Sequence, residues 1–248
     1  MNVLVCISRI PDTEARLGIG DDGISIDPNG SKYIISPYDE LAIEEGLRIR
    51  EKIGGTVTAL CIGPDVSKDV LRSALAMSAD SAVLIKTEKV SDYKFVAENI
   101  INHYKANQYD LLLFGKSSGD YESQTIPAYI AAKLNIPFVS SITSLNIEAN
   151  SAEVVREADG AKETYQLSLP AVLSAQKGLN NPRFPKLPDI MKAKSKPIVE
   201  LEALAVEYAL ETIRLETVSK KRNIKVVGDS DSEIAEIVSL LRDEAKVI

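Results

Sequence analysis

Residues 110–125 read DLLLFGKSSGDYESQT: an apolar run that stops at Gly115, then a polar loop, then the start of a helical pattern continued by IPAYIAAKL. An unbroken apolar run between Asp110 and Gly115 fits a strand buried on both faces, the mark of a parallel sheet. Outward from it the same unit recurs. Apolar runs at 2–8, 56–62 and 81–86 are each followed by a helical pattern. This alternation predicts an α/β fold with a mostly parallel sheet covered by helices on both faces.

The helices carry start signals. Ser36 precedes Pro37 at the first helical position, and Asp39 stands three residues after Ser36, the spacing of a capping box; Tyr38, Leu41, Ala42, Ile49 and Ile53 then share one face. Ser67 and Ser91 read as N-caps of the next two helices. ISIDPNGSKYII reads as an inserted hairpin turning at DPNG, and AEVVREADGAKETYQL as another turning at Asp159 and Gly160. LPAVLSA is then a buried strand, after which the sheet is expected to end. Residues 177–196 hold three prolines and no usable period, which predicts an exposed functional loop. A tail follows, with a polar break at 219–223 and an amphipathic helix near its end. The expected division is an α/β nucleotide-binding domain over 1–200, including the 177–196 loop, and a C-terminal extension over 201–248.

Composition narrows the function. The 248 residues carry 29 Lys and Arg against 36 Asp and Glu, a net charge of −7. Such a background opposes nucleic acid, which wants clustered cations. The 177–196 loop departs from it, with six basic residues against one acidic, so the remainder stands at −12. No apolar stretch approaches a membrane span, and NVLVCIS at the amino terminus has no basic leader; the expectation is a cytoplasmic protein without membrane insertion. Cys6 and Cys61, each alone in an apolar run, read as small buried hydrophobes rather than a zinc or redox pair.

Several motifs match on paper and fail in context. GIGDDG at 18–23 satisfies GxGxxG but follows a polar segment and leads into a strand, so it reads as a plain turn. GKS at 115–117 lacks the loop of a P-loop, because LLLF before it is strand. His103, among polar neighbours, reads as a surface histidine. No Ser/His/Asp set can be assembled and no metal site is expected.

In an open parallel sheet, ligands lie beyond the carboxyl ends of the strands where the connection direction switches. Three segments should converge there: Cys6, Ile7 and Ser8; Ile62, Gly63 and Pro64; and the loop from Gly115 through Gly119 to Thr125. That loop opens a helix whose free amides suit an anion, with Ser123, Gln124 and Thr125 placed to donate. Asp120 and Glu122 disfavour a triphosphate, so the ligand is a weakly charged nucleotide, unless the loop is only a capped helix with a polar lead-in.

Taken together, SPYDELAIEEGLRIRE, LRSALAMSADSAVLI, GKSSGDYESQT and VVREADGAKETYQLSLPAVLSAQKGLNNPRFPKLPDIMKAKSKPI resemble the beta subunit of electron transfer flavoprotein, in order and over nearly the whole chain. The resemblance implies a Rossmann-like, adenine nucleotide alpha-hydrolase-like sheet with an added β-hairpin region and an extended tail. It implies the non-catalytic half of a heterodimer, with a structural AMP in this chain and FAD held mainly by the alpha subunit. It places AMP near Cys6, Ser36, Pro37, Tyr38, Asp39, Ile62, Gly119, Asp120, Ser123, Gln124 and Thr125, and brings the Thr13 region and Tyr38 towards the flavin. The basic loop becomes a recognition loop for acyl-CoA dehydrogenase-type flavoenzymes. Leu187 is its anchor, beside Pro188, Ile190 and Met191, and Arg183, Lys186, Lys192, Lys194 and Lys196 steer an acidic partner. Onward acceptors would be electron transfer flavoprotein-quinone oxidoreductase or another.

The loop from Lys116 to Gln124 is one residue shorter than the usual family spacing, and Ser36 stands where the family often has Asn. Relatives with a second FAD in place of AMP usually end this loop in VGP; here it ends in SQTIP, closer to the AMP form. Two competing readings are a stand-alone sensor resembling universal stress proteins, which explains the first half alone, and an ATP-dependent activating enzyme. The second lacks its SGGxDS loop after the first strand, where SRIPDT stands.

Overall fold

The computed structural model describes residues 1–27, 29–88, 92–218 and 224–248. Its strands are β1 (Asn2–Cys6), β2 (Arg9–Pro11), β3 (Gly18–Ile19), β4 (Ile26–Asp27), β5 (Tyr33–Ile35), β6 (Thr56–Gly63), β7 (Ser81–Lys86), β8 (Leu111–Gly115), β9 (Phe138–Glu148), β10 (Ser151–Ala158), β11 (Ala161–Ser168), β12 (Ala171–Ala175) and β13 (Val199–Glu202). The helices are α1 (Pro37–Ile53), α2 (Lys68–Ala76), α3 (Tyr93–Ala106), α4 (Thr125–Leu134), α5 (Leu187–Ser195) and α6 (Asp231–Ser239).

One sheet of nine strands runs β11-β10-β9-β12-β8-β1-β6-β7-β13. Pairings from β9 through β12 to β13 are parallel, and β9-β10-β11 is an antiparallel meander. Alternation along each strand sorts the core into two layers. Val3, Val5, Leu111 and Leu113 face α1 and α2, while Leu4, Cys6, Leu112 and Phe114 face α3 and α4. From β1 the chain steps to β6 and β7 on one side and reaches β8 and β12 on the other, so the direction of winding switches between β1 and β8.

Local readings change where tertiary contacts compete. The DPNG hairpin does not form: Ile26–Asp27 pairs back on Gly18–Ile19, and Tyr33–Ile35 on Arg9–Pro11. GIGDDG supplies the turn of the first ribbon, with Gly23 at φ +73 and the Asp22 carboxylate accepting the amides of Ile24 and Ser25. Pro28, Ser91 and the break at 219–223 lie outside the described residues. At the start of α3 the Asp92 side chain accepts from the Phe95 amide. The Asp159–Gly160 hairpin forms as expected, with Gly160 at φ +76. Its neighbour β9 carries no clear sequence signal because FVSSITSLNIE is rich in Ser and Thr and only partly buried. α1 is buried well beyond one face, from Leu41 through Leu47, whereas Ile53 is exposed.

The sheet does not end at β12. β13 pairs with β7, and Glu200 joins Lys68, Lys86 and Asp65 in a surface ion cluster. The strand VELE is exposed throughout, so it lacks the apolar pattern that would have marked it. Nor is 177–196 all loop. Pro188 stands in the first turn of α5, and Ala193 is the helix's sole buried residue among those described, which leaves no apolar stripe to read. His103 is buried rather than superficial, 7% exposed, with Nε2 3.0 Å from the Tyr109 hydroxyl; burial lowers its pKa.

Two compact units divide at Leu215 and Glu216, downstream of the boundary expected at 200. Residues beyond β13 stay with the first unit because Asn99 accepts the Leu204 amide, Asp92 accepts that of Leu210, and Phe95 meets Tyr208 edge to face at 5.3 Å. Within the second unit, α6 starts in a capping box of Ser230 and Glu233 and leaves Ile234, Ile237 and Val238 exposed.

Candidate functional site

At the switch between β1 and β8 one carboxylate joins both strand ends. Asp39, 4% exposed in the first turn of α1, accepts the Ser8 amide at 2.7 Å through Oδ2 and the Gly115 amide at 2.9 Å through Oδ1. The expected capping box is therefore absent. Ser36 makes no side-chain cap, and the strand-end amides claim the carboxylate instead. Burial pushes the Asp39 carboxyl up to about 7, the two amides pull it down, and the nearby Asp120 charge adds to the rise. The same burial and the Asp39 charge raise the Cys6 thiol well above its ordinary value; Cys61 is pushed up to about 12. The two thiols face opposite layers of the core and remain free.

Glycines let the backbone close in. A Cβ on Gly115 would stand 2.5 Å from Asp39 Oδ1 and 2.8 Å from the Asp39 amide nitrogen, and one on Gly119 2.5 Å from Ile10 Cδ1 and 3.8 Å from Ser36 Oγ. Gly115→Ala is expected to lower stability by about 1–3 kcal/mol through overpacking against backbone. Chemical denaturation checks this, and an unchanged midpoint would refute the close approach.

Beneath the 115–125 loop, the buried hydroxyl of Ser36 has no hydrogen-bond partner among the described residues. Ser67, beside Gly63, forms no side-chain cap at the start of α2, and its hydroxyl meets the Cys61 thiol instead. Buried hydroxyls are normally paired, so Ser36 keeps a hydrogen-bonding capacity that no described residue uses. The loop closes on itself through Ser118 N to Ser123 O at 3.2 Å, with Glu122 at φ +50. Gln124 gives α4 no side-chain cap, which leaves the first-turn amides clear of side-chain competition. Cys6, Ser36, Pro37, Tyr38, Asp39, Gly119 and Asp120 thus gather round β1 and β8. Ile62 stands one residue before the end of β6, and Ser123, Gln124 and Thr125 lie at the mouth of α4. The close backbone approach at Gly115 and Gly119, the unpaired Ser36 hydroxyl and the start of α4 put hydrogen-bonding groups for a polar ligand at this end of the sheet, and the Asp39 and Asp120 carboxyls beside them disfavour a polyanion.

The basic segment lies elsewhere. Arg183 binds Glu44 through Nε at 2.8 Å and Nη2 at 3.0 Å, and Glu51 through Nη1 at 2.6 Å, while its own amide meets Glu44 at 3.1 Å. Its guanidinium is a clamp within the chain, and Glu51 is held below the usual carboxylate range by it. A groove of about 480 Å³ opens beside this clamp, lined in part by Met77, Phe184, Lys186 and Asp189. Leu187 is 72% exposed, Met191 58% and Ile190 40%; Pro188 lies between them in the first turn of α5.

The electron transfer flavoprotein domain family matches residues 24–206, well over half of the chain. The chain is 40% identical to the electron transfer flavoprotein subunit beta of Bacillus subtilis, with all of both chains covered. It is 33% identical to the subunit of that name from Bradyrhizobium diazoefficiens, again over both whole chains, and 31% to that from Syntrophomonas wolfei, over all of this chain and 98% of the other. This chain belongs to the electron transfer flavoprotein beta-subunit family. Membership accounts for the tail and the basic segment as well as the sheet, which a universal-stress-protein-like reading left unexplained. The family's Rossmann-like fold is the one described above. A mitochondrial relative from Arabidopsis thaliana is 31% identical over both whole chains. Among the described residues no helix is long and apolar enough to cross a membrane, and no cluster of metal-ligating side chains occurs.

Proposed function

We propose that the chain is the beta subunit of a heterodimeric electron transfer flavoprotein that carries a structural AMP and helps an alpha subunit hold FAD. Electrons pass from acyl-CoA dehydrogenase-type flavoenzymes to electron transfer flavoprotein-quinone oxidoreductase or another acceptor, in the cytoplasm. The FAD supplies the redox chemistry when bound; this chain is a carrier subunit and makes no bond itself. The observation that carries the reading is the apolar patch of Leu187, Ile190 and Met191, exposed on a short helix set in a basic segment of an acidic chain. A nucleotide module working alone has no use for it.

In the crevice, the first-turn amides of α4 with Ser123 and Thr125 would take the phosphate, and the Ser36 hydroxyl and the backbone near Cys6, Tyr38 and Ile62 would take the nucleoside. Closing an unpaired crevice in this way stabilises the folded state, since a ligand that binds only the native form shifts unfolding. Of the extension expected over 201–248, the part beyond Leu215 is assigned to the alpha subunit, because the apolar residues of α6 are exposed within their own unit. Heat-precipitated protein should release AMP in stoichiometric amount, read by chromatography of the supernatant. Stoichiometric FAD from this chain's own site would instead place it with the two-flavin relatives.

A further inference from the structure

α5 has nine residues, and such a helix is marginal in isolation. What holds it in place comes from elsewhere in the chain. Ahead of it, Arg183 is clamped on Glu44 and Glu51 of α1. At its other end the last carbonyls have no successors within the helix to pair with. Arg72, on α2, reaches them: Nη1 donates to Ala193 O at 2.7 Å and also to Lys196 O. Lys196 returns the tie, its Nζ donating to Ala79 O at 2.8 Å just beyond α2. The cation also opposes the negative end of the helix dipole.

We infer that Arg72 is a positioning residue for partner docking: by capping the carboxyl end of α5 it keeps Leu187, Ile190 and Met191 in a fixed array before the partner arrives. The inference rests on the reading of α5 as the docking element. Without the cap those side chains stay exposed, but the helix frays, and the partner must order it at the cost of affinity. Arg72 does not touch the nucleotide crevice residues in any contact described, so the effect should fall on encounter and not on cofactor content.

The test uses the assembled heterodimer bearing Arg72→Met, Arg72→Lys or Leu187→Ala. Each is reduced by an acyl-CoA dehydrogenase with its acyl-CoA substrate, and amide hydrogen exchange is followed over residues 187–196. Arg72→Met should speed exchange there and raise the KM for the carrier roughly fivefold to tenfold. Its kcat should stay within about twofold of the unmodified protein. AMP content and reduction by dithionite should not change. Arg72→Lys, which can donate to the carbonyls without the planar fork, should recover part of the loss, and it decides the matter if Arg72→Met does not assemble. An unchanged KM and exchange rate, with Leu187→Ala impaired, overturns the positioning role and leaves the docking reading intact. If Leu187→Ala is also unimpaired, both fall.

Discussion

Leu187→Ala is expected to slow electron delivery from the dehydrogenase on the order of tenfold to a hundredfold, the loss typical of truncating a central interface anchor. The folded chain itself has little stake in this side chain. Leu187 is 72% exposed and heads a helix whose hold on the body is Ala193, Arg72 and the preceding Arg183 clamp. Its truncation therefore leaves the thermal midpoint, AMP content and flavin spectrum where they were, and that combination separates an anchor from a packing residue. Stopped-flow reduction of the heterodimer by the dehydrogenase measures it. A rate equal to that of the unmodified protein would remove Leu187 from the interface.

Asp39→Ala is expected to cost about 2–5 kcal/mol, because the amides of Ser8 and Gly115 lose the buried acceptor they share. Recovering the desolvation penalty of the carboxylate offsets part of that loss, which keeps the effect from being larger. The group also makes stability depend on pH. Its folded pKa, about 7, lies above the ordinary 3.8, so the folded chain holds the proton more tightly than the unfolded chain. The stability this proton contributes is complete below the ordinary value and is lost as pH rises towards 7, at no more than about 1.4 kcal/mol per pH unit. Urea unfolding of the unmodified chain and of Asp39→Asn, compared from pH 4 to pH 8, isolates the term. Their difference should shift against the unmodified chain up to about pH 7 and then level off. A pH-independent difference would show that Asp39 is ionised throughout.

Much of this site was legible because it lies where chain topology must put it. DLLLFG ends at a strand tip, NVLVCIS ends at another, and the alternation of strands and helices makes both tips meet at a switch. The role of Asp39 was not legible. Three residues after Ser36 it satisfies a local capping pattern, and nothing nearby in sequence reveals that Ser8 and Gly115 will present amides to it. The ion pairing of Arg183 was not legible for the same reason. In a run of cations it reads as a solvent-facing charge, yet Glu44 and Glu51, far away in sequence, take both sides of its guanidinium.

By itself the sequence determined the parallel strands β1, β6, β7, β8 and β12 with helices on both faces, the Asp159–Gly160 hairpin, the glycine loop before α4 and the family, since each rests on periodicity, turn chemistry or segments read in order. Only the tertiary structure decided the pairing of the ribbons near the amino terminus, the edge strand β13, the burial of His103 and the helix within 187–195. Each of these is fixed by partners distant along the chain, whose amides, carboxylates and carbonyls outcompete the local preference once the core has brought them within hydrogen-bond reach.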